Sequence, residues 1–288
     1  MIPSYLDGTA LDKFIRSALQ EDQGDGDFTS LAIIDEHQIS TAELLVKSKG
    51  VIAGVELAMK ILEHCDPAIK TTVMFNDGAR VAPGDIVFNA TGSTRQLLLA
   101  ERLLLNCMQR MSGVATHTSK FLELVEGTGV KILDTRKTTP LFRALEKWAV
   151  QLGGGVNHRF NLSEQILIKD NHITAAGSIH EAVHRTRNFL ATNKKKLLVE
   201  IEVQNIQQVR EAIALSPDVI MLDNMTPEQI KECLQVIGKK CKVEASGSIN
   251  EENIKSYAET GVDFISVGSL THSYRSLDLS FKLRRSQV

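Results

Sequence analysis

From about residue 114 onward the chain alternates short β-branched runs with amphipathic helical stretches, six times in succession. The runs lie at 130–133, 166–168, 197–202, 219–222, 242–245 and 264–267. Between them apolar residues recur at helical spacing, as in Leu141, Leu145, Trp148, Ala149 and Leu152, or Ile230, Cys233, Leu234 and Ile237. Strands that alternate with helices imply a parallel sheet, because a parallel neighbour is reached only through a long crossover, which the helix supplies. A doubly wound sheet and an α/β barrel both meet that condition.

The positions of the polar residues favour the barrel. Each run ends in side chains capable of chemistry: residues 134–137 (Asp-Thr-Arg-Lys), 169–171 (Lys-Asp-Asn), Glu200 with Glu202, Asp223-Asn224, residues 246–248 (Ser-Gly-Ser) and Gly268-Ser269. Polar groups at the carboxyl ends of many strands describe the top face of a barrel, whereas an open sheet gathers its ligands at one switch point. The fold class expected is therefore α/β, a C-terminal parallel α/β barrel, complete or incomplete.

The first part reads differently. Leu11, Phe14, Ile15, Ala18 and Leu19 mark an amphipathic helix, and strand-like runs at 42–46, 51–52, 73–75 and 86–88 surround turns at Asn76-Asp77-Gly78 and Pro83-Gly84-Asp85. A smaller α+β domain over 1–113 is expected, including a connecting helix from Ser93 or Thr94 to a stop at Ser112-Gly113. The barrel domain would span 114–275, and a tail, 276–288, would pack back on the N-terminal domain.

Bulk numbers exclude some functions. With 33 basic against 35 acidic residues among 288, the net charge of -2 offers no global field to recruit nucleic acid or an anionic membrane, so any anion site must be local. Cys65, Cys107, Cys233 and Cys241 are scattered, without metal-ligand spacing or a disulfide pattern. The first residues lack a basic segment followed by an apolar stretch, and the leucine-rich run at 97–105 is broken by Glu101 and Arg102. A cytoplasmic protein without a membrane span is expected.

Residues 134–140, Asp-Thr-Arg-Lys-Thr-Thr-Pro, are the most telling stretch. Arg136 offers a planar fork for a carboxylate and Lys137 a point charge for a phosphate. A plain helix start, with Thr139 as N-cap and Pro140 at the first position, explains the second half and leaves the two cations unexplained. The glycine run 153–155 presents His158 and Arg159 together. By strand register Lys169 points with Leu167, and Glu200 with Glu202, toward one face. With Asp223, these carboxylates suit a magnesium ion or sugar hydroxyls, or else an internal ion-pair network with Lys169. The loops at 246–249 and 268–272 are rich in Ser and Gly, and loops after a barrel's last two strands commonly bind phosphate. Together these demand a ligand with several negative charges, a phosphorylated sugar meeting a small carboxylic acid.

The motifs together resemble the quinolinate phosphoribosyltransferase family. The match runs nearly end to end: residues 18–22, 24–27 and 29–30, then 112–116, 134–140, 153–159, 168–172, 222–224 and 267–273. The resemblance implies conversion of quinolinate and phosphoribosyl pyrophosphate, with magnesium, into nicotinate mononucleotide, pyrophosphate and CO2, a step in NAD synthesis. It implies that Thr135, Arg136, His158, Arg159 and Lys169 grip quinolinate, with Arg102 reaching in from the neighbouring subunit of a homodimer or higher homo-oligomer. Lys137, Glu202 and Asp223 would handle ribose, pyrophosphate and magnesium, and Ser246, Gly247, Ser248, Val267, Gly268 and Ser269 would seat the phosphoribosyl phosphate. Lys137, Lys169, Glu202 and Asp223 would be the catalytic set, with Glu202 preferred over Glu200 on its spacing to Asp223. Leu141 and Ser248 stand where relatives frequently have Gly, and Leu103 where they often have Thr, so altered loop packing is expected. The competing readings are a paralogous pyrophosphorylase with another acceptor and a non-catalytic binder of phosphorylated ligands.

Overall fold

In the computed structural model, which describes residues 2–284, one unit comprises the chain up to Ser119, Thr139–Gly154 and the residues from Ser273 onward. The other comprises Lys120–Thr138 and Gly155–His272. The division is therefore not a single cut at residue 113. The stretch 139–154 leaves the barrel sequence to join the first unit, and the motif 134–140 is split between Thr138 and Thr139.

In the first unit, α1 (Gly8–Gln23) buries Leu11, Ile15 and Leu19 at i, i+4, i+8 and begins at Asp7, whose carboxylate accepts the Ala10 N–H at 2.8 Å. The short α2 (Phe28–Ile33) is capped by Asp27 in the same way. Four antiparallel strands follow in the order β12-β1-β5-β3, with β1 (Ile39–Val46), β3 (Lys70–Val73), β5 (Ile86–Ser93) and the closing β12 (Leu279–Leu283). The C-terminal tail thus supplies an edge strand of this sheet, and its residues 285–288 lie outside the described part. The ribbon of β2 (Gly50–Val51) and β4 (Arg80–Val81) and the helix α3 (Val55–Cys65), which buries one face, complete the α+β layer.

The long helix α4 (Thr94–Leu124) corrects the expected stop at Ser112-Gly113. Gly113 sits in mid-helix, where glycine costs about 1 kcal/mol relative to alanine. It is there for close approach: a Cβ would lie 2.5 Å from the Arg275 carbonyl oxygen and 2.9 Å from the Tyr274 ring. Ser112, buried, satisfies its hydroxyl on both backbone groups of Ala53.

Helix α5 (Arg143–Leu152) likewise starts later than expected. Thr139 is not its N-cap. Residues 139–142 form a turn closed by the Phe142 N–H on the Thr139 carbonyl, with Leu141 left-handed at φ 64°. The buried Glu146 accepts both the N–H (2.9 Å) and the hydroxyl (2.8 Å) of Thr139, so a carboxylate in the helix's first turn holds the entry instead.

The second unit is the parallel sheet: β6 (Lys131–Leu133), β7 (Ile166–Ile168), β8 (Val199–Val203), β9 (Val219–Asp223), β10 (Lys242–Ser246) and β11 (Phe264–Ser266). Their order is β6-β11-β10-β9-β8-β7. Sequence neighbours pair from β7 to β11, and β6 pairs with the last strand instead of the next, as a rolled sheet requires. The seam lies between β6 and β7, where Leu133 makes only an isolated bridge to Val156. This is an incomplete barrel. Its helices are α6 (Asp170–Ala176), α7 (Ile179–Thr192), α8 (Ile206–Ala214), α9 (Pro227–Ile237) and the short α10 (Ile254–Ala258) and α11 (Ser269–His272). Ser178, Asn205 and Thr226 cap α7, α8 and α9 by accepting the N–H three residues on.

One strand face is wholly apolar: Ile201, Val203, Ile220, Leu222 and Ala245 are fully buried. The other face carries the chemistry, and the period of two decides which residues share it.

Candidate active site

A cavity of about 430 Å³ opens at the carboxyl ends of the barrel strands. Each strand lends it residues two apart: Leu167 and Lys169 from β7 and its end, Met221 and Asp223 from β9, Glu244 and Ser246 from β10. Glu202 from β8 and Ser266 from β11 point the same way, and Thr135, Arg136 and Lys137 enter from the end of β6. His158, Arg159, Asn224, Gly247 and Ser248 close the wall.

Local folding explains these placements. Asp134, fully buried, accepts the His158 N–H (2.8 Å) and the Asn157 side-chain amide (2.7 Å), tying the end of β6 to the residues after the glycine run. The next residues curl into a tight turn, with the Lys137 N–H on the Thr135 hydroxyl and the Thr138 N–H on the Arg136 carbonyl. The Thr271 hydroxyl donates to the Lys137 carbonyl at 2.9 Å, and a Cβ on Gly268 would lie 3.1 Å from the Lys137 Cδ. At the ends of β9 and β10, Asn224 (φ 55°), Gly247 (φ 96°) and Ser248 (φ 53°) are all left-handed. The Asn224 N–H bonds the Ser246 carbonyl, and a Cβ on Gly247 would lie 2.8 Å from the Asn224 backbone nitrogen, so only glycine fits.

The electrostatics are those of an anion site with carboxylates at its rim. Lys169 Nζ lies 2.9 Å from Glu202 Oε2, with the lysine about half exposed and the glutamate nearly buried. Burial, and then the neighbouring Arg136, push the Arg159 guanidinium below its ordinary value, while Glu200 acts in the opposite sense. Two guanidiniums close enough to disfavour each other are suited to a dianion between them. Asp223, half-buried, accepts the Asn224 side-chain amide at 2.7 Å.

Of the residues expected to act, Thr135, Arg136, Lys137, His158, Arg159, Lys169, Glu202, Asp223, Ser246, Gly247 and Ser248 all line this cavity. Val267 is buried and Gly268 and Ser269 flank it without lining it. Arg102 is exposed on α4 in the first unit. Sequence reasoning missed Glu244, Ser266 and Gln165. Glu244 stands in a run that reads as a plain strand, and only its place two residues before Ser246, on the same face, hinted at it.

Within that wall Glu244 and the fully buried Glu200 meet the His158 ring. His158 Nε2 lies 3.2 Å from Glu200 Oε2 and 3.6 Å from Glu244 Oε2, and the Gln165 amide donates to Glu200 at 2.7 Å. Burial, and then the Glu200 carboxyl, push Glu244 up to about 8.

The family model described as quinolinate phosphoribosyl transferase, C-terminal domain, matches residues 114–282, and that for the N-terminal domain matches residues 27–112. The chain belongs to the quinolinate phosphoribosyltransferase family. It is 40% identical over 276 residues to a probable nicotinate-nucleotide pyrophosphorylase [carboxylating] of Bacillus subtilis, covering 96% of this chain and 94% of that protein. A probable enzyme of the same description from Methanocaldococcus jannaschii is 38% identical, covering 96% and 98%. The crystal structure of NadC from Streptococcus pyogenes superposes with a TM-score of 0.91 at 40% identity, covering 95% of this chain and 96% of that one.

Proposed function

We propose that this quinolinate phosphoribosyltransferase family member transfers the phosphoribosyl group of phosphoribosyl pyrophosphate to quinolinate with decarboxylation. The products are nicotinate mononucleotide, pyrophosphate and CO2. The observation that carries this is the convergence of Arg136, Lys137, Arg159 and Lys169 with Glu202 and Asp223 on one cavity. The names of its full-length relatives support the same reading.

In this reading Arg136, Arg159 and Lys169, with Thr135 and His158, hold the two carboxylates of quinolinate. Arg102 of a neighbouring subunit completes that end in a homo-oligomer, consistent with its exposure on α4. Lys137 faces the pyrophosphate, Asp223 a ribose hydroxyl, and the loops at 246–248 and 267–269 the 5'-phosphate. Glu202 and Asp223 supply hard oxygen donors on one cavity, which fits a magnesium ion held by one or two carboxylates and the substrate's phosphates. Bound there, magnesium would neutralise charge on the departing pyrophosphate.

The pyridine nitrogen forms a bond to C1 of the ribose as the C1–oxygen bond breaks, its electron pair leaving with pyrophosphate. Glu202, once released from Lys169, stabilises the positive charge that develops at C1, and Lys137 the negative charge on the leaving oxygens. The ring nitrogen is now cationic, so the bond to the adjacent carboxylate breaks with its electrons left on the ring carbon, which then takes a proton. No protein nucleophile is needed. The setting we propose is cytoplasmic. The four cysteines are free, and among the described residues no helix is long and apolar enough to cross a membrane.

The test is turnover by the purified protein with magnesium and both substrates. CO2 should appear in equal amount with nicotinate mononucleotide. Use of nicotinate with the same efficiency as quinolinate overturns the assignment.

A further inference from the structure

Glu200, Gln165, Arg159 and His158 form a closed circuit of hydrogen bonds. The Gln165 side-chain amide donates to Glu200 Oε2 (2.7 Å), and the Gln165 backbone carbonyl accepts from the Arg159 guanidinium (3.1 Å). The Arg159 N–H donates to His158 Nδ1 (2.7 Å), and His158 Nε2 returns to Glu200 Oε2 (3.2 Å). Because Nδ1 accepts, the ring proton is on Nε2 and the histidine faces Glu200 as a neutral donor. Asp134 fixes the same residue from its backbone side.

Glu244 stands behind this circuit without belonging to it. It is 1% exposed, and Glu200 is fully buried. Glu200 Oε1 and Glu244 Oε1 are buried without a hydrogen-bond partner, and the ligating atoms of the two glutamates and His158 lie within 4.8 Å of one another. Two ionised carboxylates do not share so dry a place; one proton or one cation must accompany them. The Arg159 N–H on Nδ1 opposes a second proton on the histidine.

We propose that Glu244 is a positioning residue: as the protonated partner of Glu200 it keeps His158 in its Nε2–H form and thereby holds the Arg159 fork at the carboxylate end of the cavity. Without that partner the Glu200 charge draws on the cation within the circuit, Arg159, whose charge Glu200 already favours. The fork would swing back toward the glutamate and away from substrate. This inference rests on quinolinate being the acceptor.

The experiment compares Glu244→Ala with Glu244→Gln, whose amide still donates to Glu200. In Glu244→Ala the KM for quinolinate should rise at least about tenfold, with kcat and the KM for phosphoribosyl pyrophosphate within about threefold of wild type, and Glu244→Gln should restore it. A role in folding alone would move both KM values together, and that result overturns the proposal, as does no change in either. Nitrogen-15 NMR of the histidines in wild type and Glu244→Gln reads the tautomer independently of whether Glu244→Ala folds. An Nε2–H, unprotonated-Nδ1 signal for His158 is expected, and an imidazolium or Nδ1–H signal sinks the idea. A divalent metal copurifying stoichiometrically and lost in Glu244→Gln would replace the proton by a cation and also refute it. Absence of quinolinate turnover in the wild type would count against the function and leave the NMR result to stand on its own.

Discussion

Lys169 Nζ lies 2.9 Å from Glu202 Oε2, linking the ends of the paired strands β7 and β8 on the wall of the cavity that both residues line. The lysine is about half exposed, so the pair contributes less than about 1 kcal/mol to stability. In the proposed reaction each partner is held ready for a charge that arrives with substrate. Lys169→Met should therefore lower kcat/KM about 100-fold while shifting the denaturation midpoint little. Steady-state kinetics beside a denaturant titration check this. A large stability loss with kinetics preserved in the folded fraction would show the pair to be structural.

Leu141 is 98% exposed and left-handed at φ 64°. No burial offsets the steric penalty, which is about 1 kcal/mol for a residue with a Cβ. Leu141→Asn, which tolerates this conformation, should raise stability by about 0.5 kcal/mol, and Leu141→Val, β-branched, should lower it. Thermal denaturation of the two variants gives opposite signs if the conformation is right and the same sign if it is not.

Gly153, at the end of α5, has an ordinary helical φ of -77°, so its glycine is not a matter of backbone freedom. A Cβ there would lie 2.8 Å from the Thr118 Cβ and would also run into the Ala115 carbonyl oxygen. Gly153→Ala should destabilise by about 1–3 kcal/mol through overpacking of α5 on α4. Gly154→Ala, solvent-exposed at φ 93°, tests backbone strain separately. Equal effects of the two would mean that packing at 153 is not the cause.

Glu244 gives stability a pH dependence of defined sign. Its folded-state value, raised to about 8, exceeds the 4.5 of the unfolded chain, so the folded state binds the extra proton between those limits. Stability from this group is full below about 4.5 and is lost as pH rises through about 8. The groups facing it are Glu200, His158 and Ser266. Glu244→Gln removes the titration, so its melting temperature relative to wild type should climb from pH 5 to pH 9. Parallel curves over that range would contradict it.

Much of this was legible in the sequence because it depends on local periodicity. The alternation after residue 114 implied a barrel-like parallel sheet, and the period of two within each run put Leu167 with Lys169 and Glu200 with Glu202. Polar residues at successive strand ends, from residues 134–137 to 246–248, marked the rim on which they now line one cavity. Local patterns failed where a distant partner decides the outcome. Ser112-Gly113 looks like a helix stop, yet α4 runs on through it, and the glycine answers instead to Arg275 and Tyr274, which occupy the space a side chain would fill. Thr139-Pro140 looks like a helix start, yet Glu146 draws Thr139 into a preceding turn.

By itself, then, the sequence determined which residues could face a common axis and what charges they would bring. Only the tertiary structure decided that β6 pairs with β11 and leaves the seam beside β7, that residues 139–154 join the first unit, and that Glu244 backs Glu200 against His158. The reason is physical. Side-chain direction follows from the pitch of a single strand, whereas closure, close approach and shared protons depend on groups far apart in the chain competing for the same space and charge.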